Sequence, residues 1–123
     1  MSVICSGDGQ DLWGAVTRAI TPDCRGLVSF GVAGGLDPNL KPGACVVASA
    51  IVSGNTRMPT DHHWSQQLIK TIPDAVYGIL AGARAPVADP RAKRALHEKT
   101  GAIAVDIAIE PIARETVVAN AAE

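Results

Sequence analysis

Aromatic side chains are scarce in this 123-residue chain: two Trp, one Tyr and one Phe make up 3% of it. Stacking platforms for single-stranded nucleic acid need successive aromatic faces, so that mode of binding is excluded. An excess of one charge is also lacking. Eleven Lys and Arg stand against twelve Asp and Glu, for a net charge of −1 with both signs scattered. That leaves no electrostatic footprint for nucleic acid or an anionic membrane surface. No apolar run reaches the ~20 residues of a membrane-spanning helix. No basic stretch followed by an apolar core opens the chain, so no secretory signal is readable and the expected location is cytoplasmic. The three cysteines, Cys5, Cys24 and Cys45, are odd in number and form no C-x-x-C pair. This argues against a disulfide scaffold or a zinc knuckle. Two of them lie in strand-like runs, where a free Cys serves as a small core residue.

Hydrophobic residues at 47% against 19% charged are enough for the chain to bury a core rather than stay disordered. Its length suits one domain spanning residues 1–123, without linker, repeat or low-complexity segment. "SVICS" (2–6) reads as a strand and "GDG" breaks it. Leu12, Trp13, Val16, Ala19 and Ile20 then share one helical face, which ends at Thr21-Pro22-Asp23. "CRGLVSFGVA" and "ACVVASAIVS" read as buried strands from their continuous apolar runs. "GNTRMPTD" reads as a loop. Thr60 is the expected N-cap of a helix turning Trp64, Leu68, Ile69 and Ile72 inward. "AVYGILAG" is a further strand. Asp89-Pro90 starts a helix that buries Ala92, Ala95 and Leu96 and stops at Gly101. "AIAVDIAI" follows as a strand, and "IARETVVANAAE" as a closing helix, against the strand preference of Thr116-Val117-Val118. Strands alternating with helices imply an α/β fold with a parallel or mixed sheet.

Four groups of residues invite a chemical reading. Gly31-Val32-Ala33-Gly34-Gly35 follows a strand but has neither the spacing of the dinucleotide fingerprint nor the Gly-Lys-Ser/Thr of a phosphate loop. It is either a strand-end turn needing positive φ at glycine or a place where a ligand approaches the backbone. Asp61-His62-His63 resembles a metal triad, but neighbouring helical positions point ~100° apart and no Asp-x-Asp precedes them. No metal site is assigned, and a solvated helix start is the expectation. Asp106 interrupts an apolar run, and a buried carboxylate must be capped or paired. Ser6-Gly7-Asp8-Gly9 precedes a helix start, where amides can meet an anion. His97 sits among Lys93, Arg94 and Glu98 and is expected on the surface, while Arg57 and Arg84 are the arginines placed near strand ends or the central loop.

Taken in order, these stretches resemble a known family. "LVSFGVAGGLDPNLKPGACVVASAIV" and "ARAPVADPRAKRALHEKTGAIAVD" are similar to segments of the nucleoside phosphorylases, the family of purine and uridine phosphorylases and methylthioadenosine nucleosidases. The likeness is greatest to the hopanoid-associated type and covers nearly all of residues 3–106. It implies a mixed sheet flanked by helices, incomplete here. It also implies cleavage of an N-glycosidic bond with release of adenine, from adenosylhopane in hopanoid biosynthesis if the likeness extends to the substrate. Phosphate or water would be the nucleophile, with inorganic phosphate as the co-substrate in the first case and no metal or organic cofactor. The implied partners are a small-molecule purine nucleoside and a second copy of the chain in a homodimer or higher oligomer. The implied substrate-binding residues are Val32, Ala33, Gly34, Gly35, Ala85, Val87 and Asp106. Ser6 and Gly7 fall on the phosphate or water side.

The sequence departs from the family pattern at the sugar. The family's Met-Glu-Ser or Met-Glu-Ala after the Ala-Val-Asp strand is replaced by Ile107-Ala108-Ile109, so the sugar-gripping Glu becomes Ala108, and Glu110 lies two residues late. The Asp of the Leu-x-Pro-Gly-Asp element is Ala44. The chain is expected to be cut at both ends, lacking an earlier strand with its Glu and the later Ser-Asp strand that protonates the leaving base. No catalytic residue is therefore assigned. Weak or absent turnover is expected, since loss of a general acid alone costs ~10²–10⁴-fold. The rival reading is an inactive, degenerate member acting as a folded or oligomerising scaffold.

Overall fold

The computed structural model describes Gly14, Val16 and Arg18, residues 21–83 and 85–106, and the backbone of residues 116–122. Eight elements follow in order: β1 (Leu27–Gly35), β2 (Cys45–Ser53), β3 (Thr56–Pro59), α1 (His62–Thr71), β4 (Val76–Gly82), α2 (Pro90–Thr100), β5 (Ala104–Asp106) and β6 (Thr116–Ala122). Before them, Gly14, Val16 and Arg18 are helical and Val16 is buried, in keeping with the expected first helix. The strand expected at 2–6 lies outside the described residues.

The sheet order is β3-β2-β4-β5-β1-β6, and β2 also pairs with β6. Five strands thus curl into a closed ring, with β3 attached outside it on β2. Within the ring β2, β4 and β5 run parallel. β1 and β6 run parallel to each other and antiparallel to β5 and β2. The sheet is mixed, as the pattern predicts. Its inward faces meet in a cluster of Ala33, Val46, Ala48, Ile51, Leu80 and Ala104. Side chains alternate along each strand, so Ile79 and Ala81 of β4 turn the other way, joining Leu36, Ala102, Val105, Val87 and Leu96 of α2.

Two strands illustrate what apolar runs can and cannot say. In β2, Val46, Val47, Ala48, Ala50 and Ile51 are all nearly or fully buried, as expected of a strand covered on both faces. β1 carries a similar run but is buried on one face only. Ala33 is inside, whereas Val28, Phe30 and Val32 are 50%, 76% and 58% exposed. The expectation of a fully buried strand is corrected here.

The connections follow turn chemistry. Asp37 accepts at Oδ1 from the Asn39 amide (2.9 Å) and its carbonyl accepts from Leu40 (3.0 Å). Pro42-Gly43 turns next, with Gly43 at φ 84° and the Ala44 amide donating to Lys41 (3.0 Å), a type II pattern. The segment "GNTRMPTD" is not a loop. Gly54-Asn55 is a two-residue hairpin turn, with φ 58° at Gly54, and Ser53 faces Thr56 across the β2–β3 pair. The segment expected as a closing helix is strand β6, in line with its β-branched residues.

α1 and α2 are each capped by an aspartate. Asp61, not Thr60, caps α1, its Oδ1 accepting from the Trp64 amide (2.8 Å). Thr60 is instead buried. Its hydroxyl lies 2.6 Å from the Ala48 carbonyl, 3.0 Å from that of Ser49 and 3.1 Å from the Ser65 hydroxyl. Ser49 is the extra residue where the β2–β4 register shifts, so this contact ties α1 to a bulge in the central strand. Trp64, Leu68, Ile69 and Ile72 are half-buried, and the fully buried helix residue is Ser65. Asp89 caps α2 (3.0 Å to the Arg91 amide) with Pro90 as its first residue, and Gly101 closes it at φ 72°, all as expected. The buried face of α2 differs from expectation. Ala92 and Ala95 are exposed, while Lys93, Leu96, His97 and Thr100 are half-buried. The expected surface His97 places Nδ1 2.7 Å from the Ala102 carbonyl. Among the described residues, no helix is long and apolar enough to cross a membrane.

Candidate functional site

The carboxyl ends of β2, β4 and β5 meet at one rim of the ring. Val52 pairs with Ala81, and Gly82 with Asp106. β1 runs past in the opposite direction, with Gly34 opposite Val105 and Gly35 opposite Ala104. Topology therefore brings Ala33, Gly34 and Gly35, Gly82 and Asp106 together, although Ala33 and Asp106 are 73 positions apart in sequence. In open α/β sheets ligands bind beyond the carboxyl ends of the strands; here the corresponding ends lie at one rim of a closed ring.

Asp106 is 6% exposed and has a bonding partner, as a buried carboxylate requires. Its main-chain carbonyl accepts from the Ala83 amide at 3.0 Å, which ties the loop after β4 to the rim. Alternation puts Asp106 on the same face of β5 as Ala104, toward the interior. In the loop, Ala85 is exposed and Val87 half-buried against the outer cluster.

The glycine stretch is not a turn. Gly31 to Gly35 lie within β1, and none of its glycines has positive φ; those that do among the described residues are Gly43, Gly54 and Gly101. The predicted strand-end turn falls a few residues later, at Asp37 to Leu40. Gly34 has no steric need to be glycine either. A Cβ built there would meet Cγ1 of Val105 at 3.5 Å and Nζ of Lys93 at 3.9 Å, both ordinary contacts. Gly78 on β4 is the contrast, since a Cβ there would come within 2.6 Å of Ile103 Cδ1.

Alternation also divides the four predicted residues of β1 between two faces. Ala33 points into the core at 3% exposure, so its side chain is closed to a ligand, whereas Val32 lies on the open outer face. Ser6, Gly7, Arg84, Ala108 and Glu110 lie outside the described residues. The metal reading of Asp61-His62-His63 finds no support. Asp61 is spent on the helix cap, His63 sits 3.2 Å from Gln67, and no group of metal-binding side chains occurs among the described residues. Arg57 is exposed on β3. Cys24 is exposed and Cys45 half-buried, both as free thiols, so Cys24 is not the core residue expected. A groove of about 200 Å³ lined by Val28, Trp64, Gln67, Leu68 and Thr71 lies between β1 and α1. It contains none of the predicted site residues and falls below the ~300 Å³ typical of small-molecule pockets.

Lys93 was not among the predicted site residues. Helical spacing from Leu96 could have placed it on the buried face, but lysine on an amphipathic helix is ordinarily read as solvated.

A family model described as the phosphorylase superfamily matches residues 1–107. Comparison with curated proteins gave no match. Among solved structures, the chain is similar to a futalosine hydrolase mutant of Helicobacter pylori (TM-score 0.76, 15% identity, covering 90% of this chain and 64% of that one). It is also similar to a 5'-methylthioadenosine/S-adenosylhomocysteine nucleosidase from S. pneumoniae with a transition-state inhibitor (TM-score 0.72, 16% identity, 79% and 55%). A third is a Helicobacter pylori MTAN mutant with 5'-methylthioadenosine in its active site (TM-score 0.64, 18% identity, 75% and 52%). At these identities the likeness is one of fold. The chain spans between about half and two-thirds of the length of these relatives.

Proposed function

The chain belongs to the phosphorylase superfamily, and on that premise we propose that it binds a purine nucleoside at the rim where β1 passes the ends of β4 and β5. The observation that carries this reading is Gly34. Neither φ nor packing asks for glycine there, and what a bare strand backbone offers is close approach by a flat ligand. Val32, Gly34, Gly35, Val87 and Asp106 form its neighbourhood, with Ala33 contributing main chain alone. The activity proposed is cleavage of an N-glycosidic bond with departure of adenine, and phosphate or water as the acceptor. Adenosylhopane is the substrate to which the sequence likeness points, and the cytoplasm the proposed location.

A second reading has its own support. Ala108 stands where the family pattern has the Glu that steadies the cationic sugar. Without that charge the barrier to bond cleavage rises. The chain would then hold the base without turning it over, and associate with a second copy as a scaffold. Incubation with adenosine, methylthioadenosine or adenosylhopane, with and without phosphate, separates the two. Adenine release at an ordinary enzymatic rate supports the enzyme. A melting shift with adenine but no release supports the scaffold, and neither response sinks the nucleoside reading.

A further inference from the structure

We infer that the Lys93 ammonium binds a phosphate group over Gly34, on the outer face of β1; the choice of phosphate rests on the nucleoside reading, while the placement of the cation does not. Lys93 lies on the half-buried face of α2 with Leu96, His97 and Thr100, whereas Arg91, Arg94 and Lys99 of the same helix are exposed. Its Nζ stands 3.9 Å from the point where Gly34 would carry a Cβ. No hydrogen bond or ion pair of that ammonium is found among the described residues. A half-buried lysine with no counter-charge among the described residues leaves a bound anion to supply one.

The bland alternative is that Lys93 merely lays its methylenes on Val105 and lifts its charge to water. Two features favour a ligand. The ammonium stands beside Gly34, a rim position whose glycine neither φ nor packing requires. The same outer face of β1 continues from Gly34 to Val32 and Phe30, which are 58% and 76% exposed. A base can lie along that apolar surface with a phosphate at Lys93. The phosphate is either free beside the nucleoside or carried on it.

The test uses the full chain as wild type, Lys93→Met, Lys93→Arg and Lys99→Met, the last removing the same charge from the exposed side of α2. Lys93→Met keeps the apolar stem, and Met forms helix about as well as Lys. Far-UV circular dichroism checks folding, with Lys93→Gln as a second neutral variant. Inorganic phosphate, adenosine and adenosine monophosphate are titrated by calorimetry. Lys93→Met should weaken binding of at least one phosphate-bearing probe about tenfold or more, as loss of a charge-assisted hydrogen bond does. Lys93→Arg should stay within a few-fold of wild type, and Lys99→Met and adenosine binding should not change. An effect on inorganic phosphate identifies the free anion, and an effect on the monophosphate alone identifies the carried one. The inference is overturned if Lys93→Met binds both phosphate probes like wild type, or if wild type binds neither. A wild type that takes phosphate through Lys93 but ignores adenosine removes the nucleoside reading and leaves the lysine site standing.

Discussion

Gly34 and Gly78 are both strand glycines with ordinary φ, yet replacing each with Ala should have opposite consequences. At Gly78 the new methyl would sit 2.6 Å from Cδ1, 3.0 Å from Cγ1 and 3.4 Å from Cγ2 of Ile103. Ile103 cannot retreat easily. Its amide donates to Ile79 (2.8 Å), and its carbonyl accepts from Leu36 (2.8 Å) and Asp37 (3.1 Å). Its β-branched side chain has few rotamers to choose from. Overpacking of this kind costs ~1–3 kcal/mol, against a gain of ~0.5–1 kcal/mol from removing a strand glycine. Gly78→Ala should therefore lose stability, lowering Tm by roughly 5 °C per kcal/mol of net loss. At Gly34 no contact falls below 3.5 Å, so only the glycine gain remains and Tm should hold or rise by a few degrees. Adenosine binding should nevertheless weaken about tenfold, because a methyl group now stands where the ligand meets backbone. Thermal melts with and without adenosine read both effects. A Gly34→Ala protein that melts as low as Gly78→Ala would refute the packing argument. One that melts normally and binds adenosine normally would refute the ligand argument.

Loss of the α1 cap in Asp61→Ala should cost ~1 kcal/mol, seen as a lower urea midpoint at unchanged slope. Thr60→Val should cost more, ~1–3 kcal/mol, because it removes the buried hydroxyl that bonds the Ala48 carbonyl and meets the Ser65 hydroxyl. Thr60→Ser should recover most of that loss in the same urea series. Gly101→Ala should cost ~1–2 kcal/mol from its φ of 72° alone. The nearest atom to its new methyl, Ile79 Cδ1, is 3.8 Å away, so Gly101→Asn, which tolerates the left-handed region, should melt higher than Gly101→Ala. Asp106→Asn should keep the fold and weaken adenosine binding in calorimetry. Unchanged binding would remove Asp106 from the site.

Local chemistry was legible wherever one residue decides it. Asp89-Pro90 and Gly101 bracket α2 as their capping and φ preferences require. The apolar run of β2 becomes a strand covered on both faces, its one mid-strand hydroxyl, Ser49, falling at the bulge. The hairpin at Gly54-Asn55 was also present as a glycine between β-branched runs, but Arg57 and Pro59 hid the strand that follows. Thr60 and Asp61 are both good caps, and only packing against the bulge at Ser49 decides between them. α2 turned Lys93 inward in place of Ala92 and Ala95 because Leu96 fixes the helix face against Val105 and Ala81, which no periodicity count can know.

By itself the sequence determined the alternation of strands and helices from β1 to β5, the caps of α2 at Asp89 and Gly101, and a likeness to the phosphorylase superfamily carried by ordered motifs. These depend on neighbours within a few residues, where propensity and φ preference act directly. Only the tertiary structure decided that the glycine stretch is strand and not turn, that β1 has an open apolar face, and that Lys93 and Asp106 come to the same rim from opposite sides of the sheet. Strand order and register set those facts. They arise from pairings between residues tens of positions apart, for which hydrophobic pattern supplies the faces but not the partners.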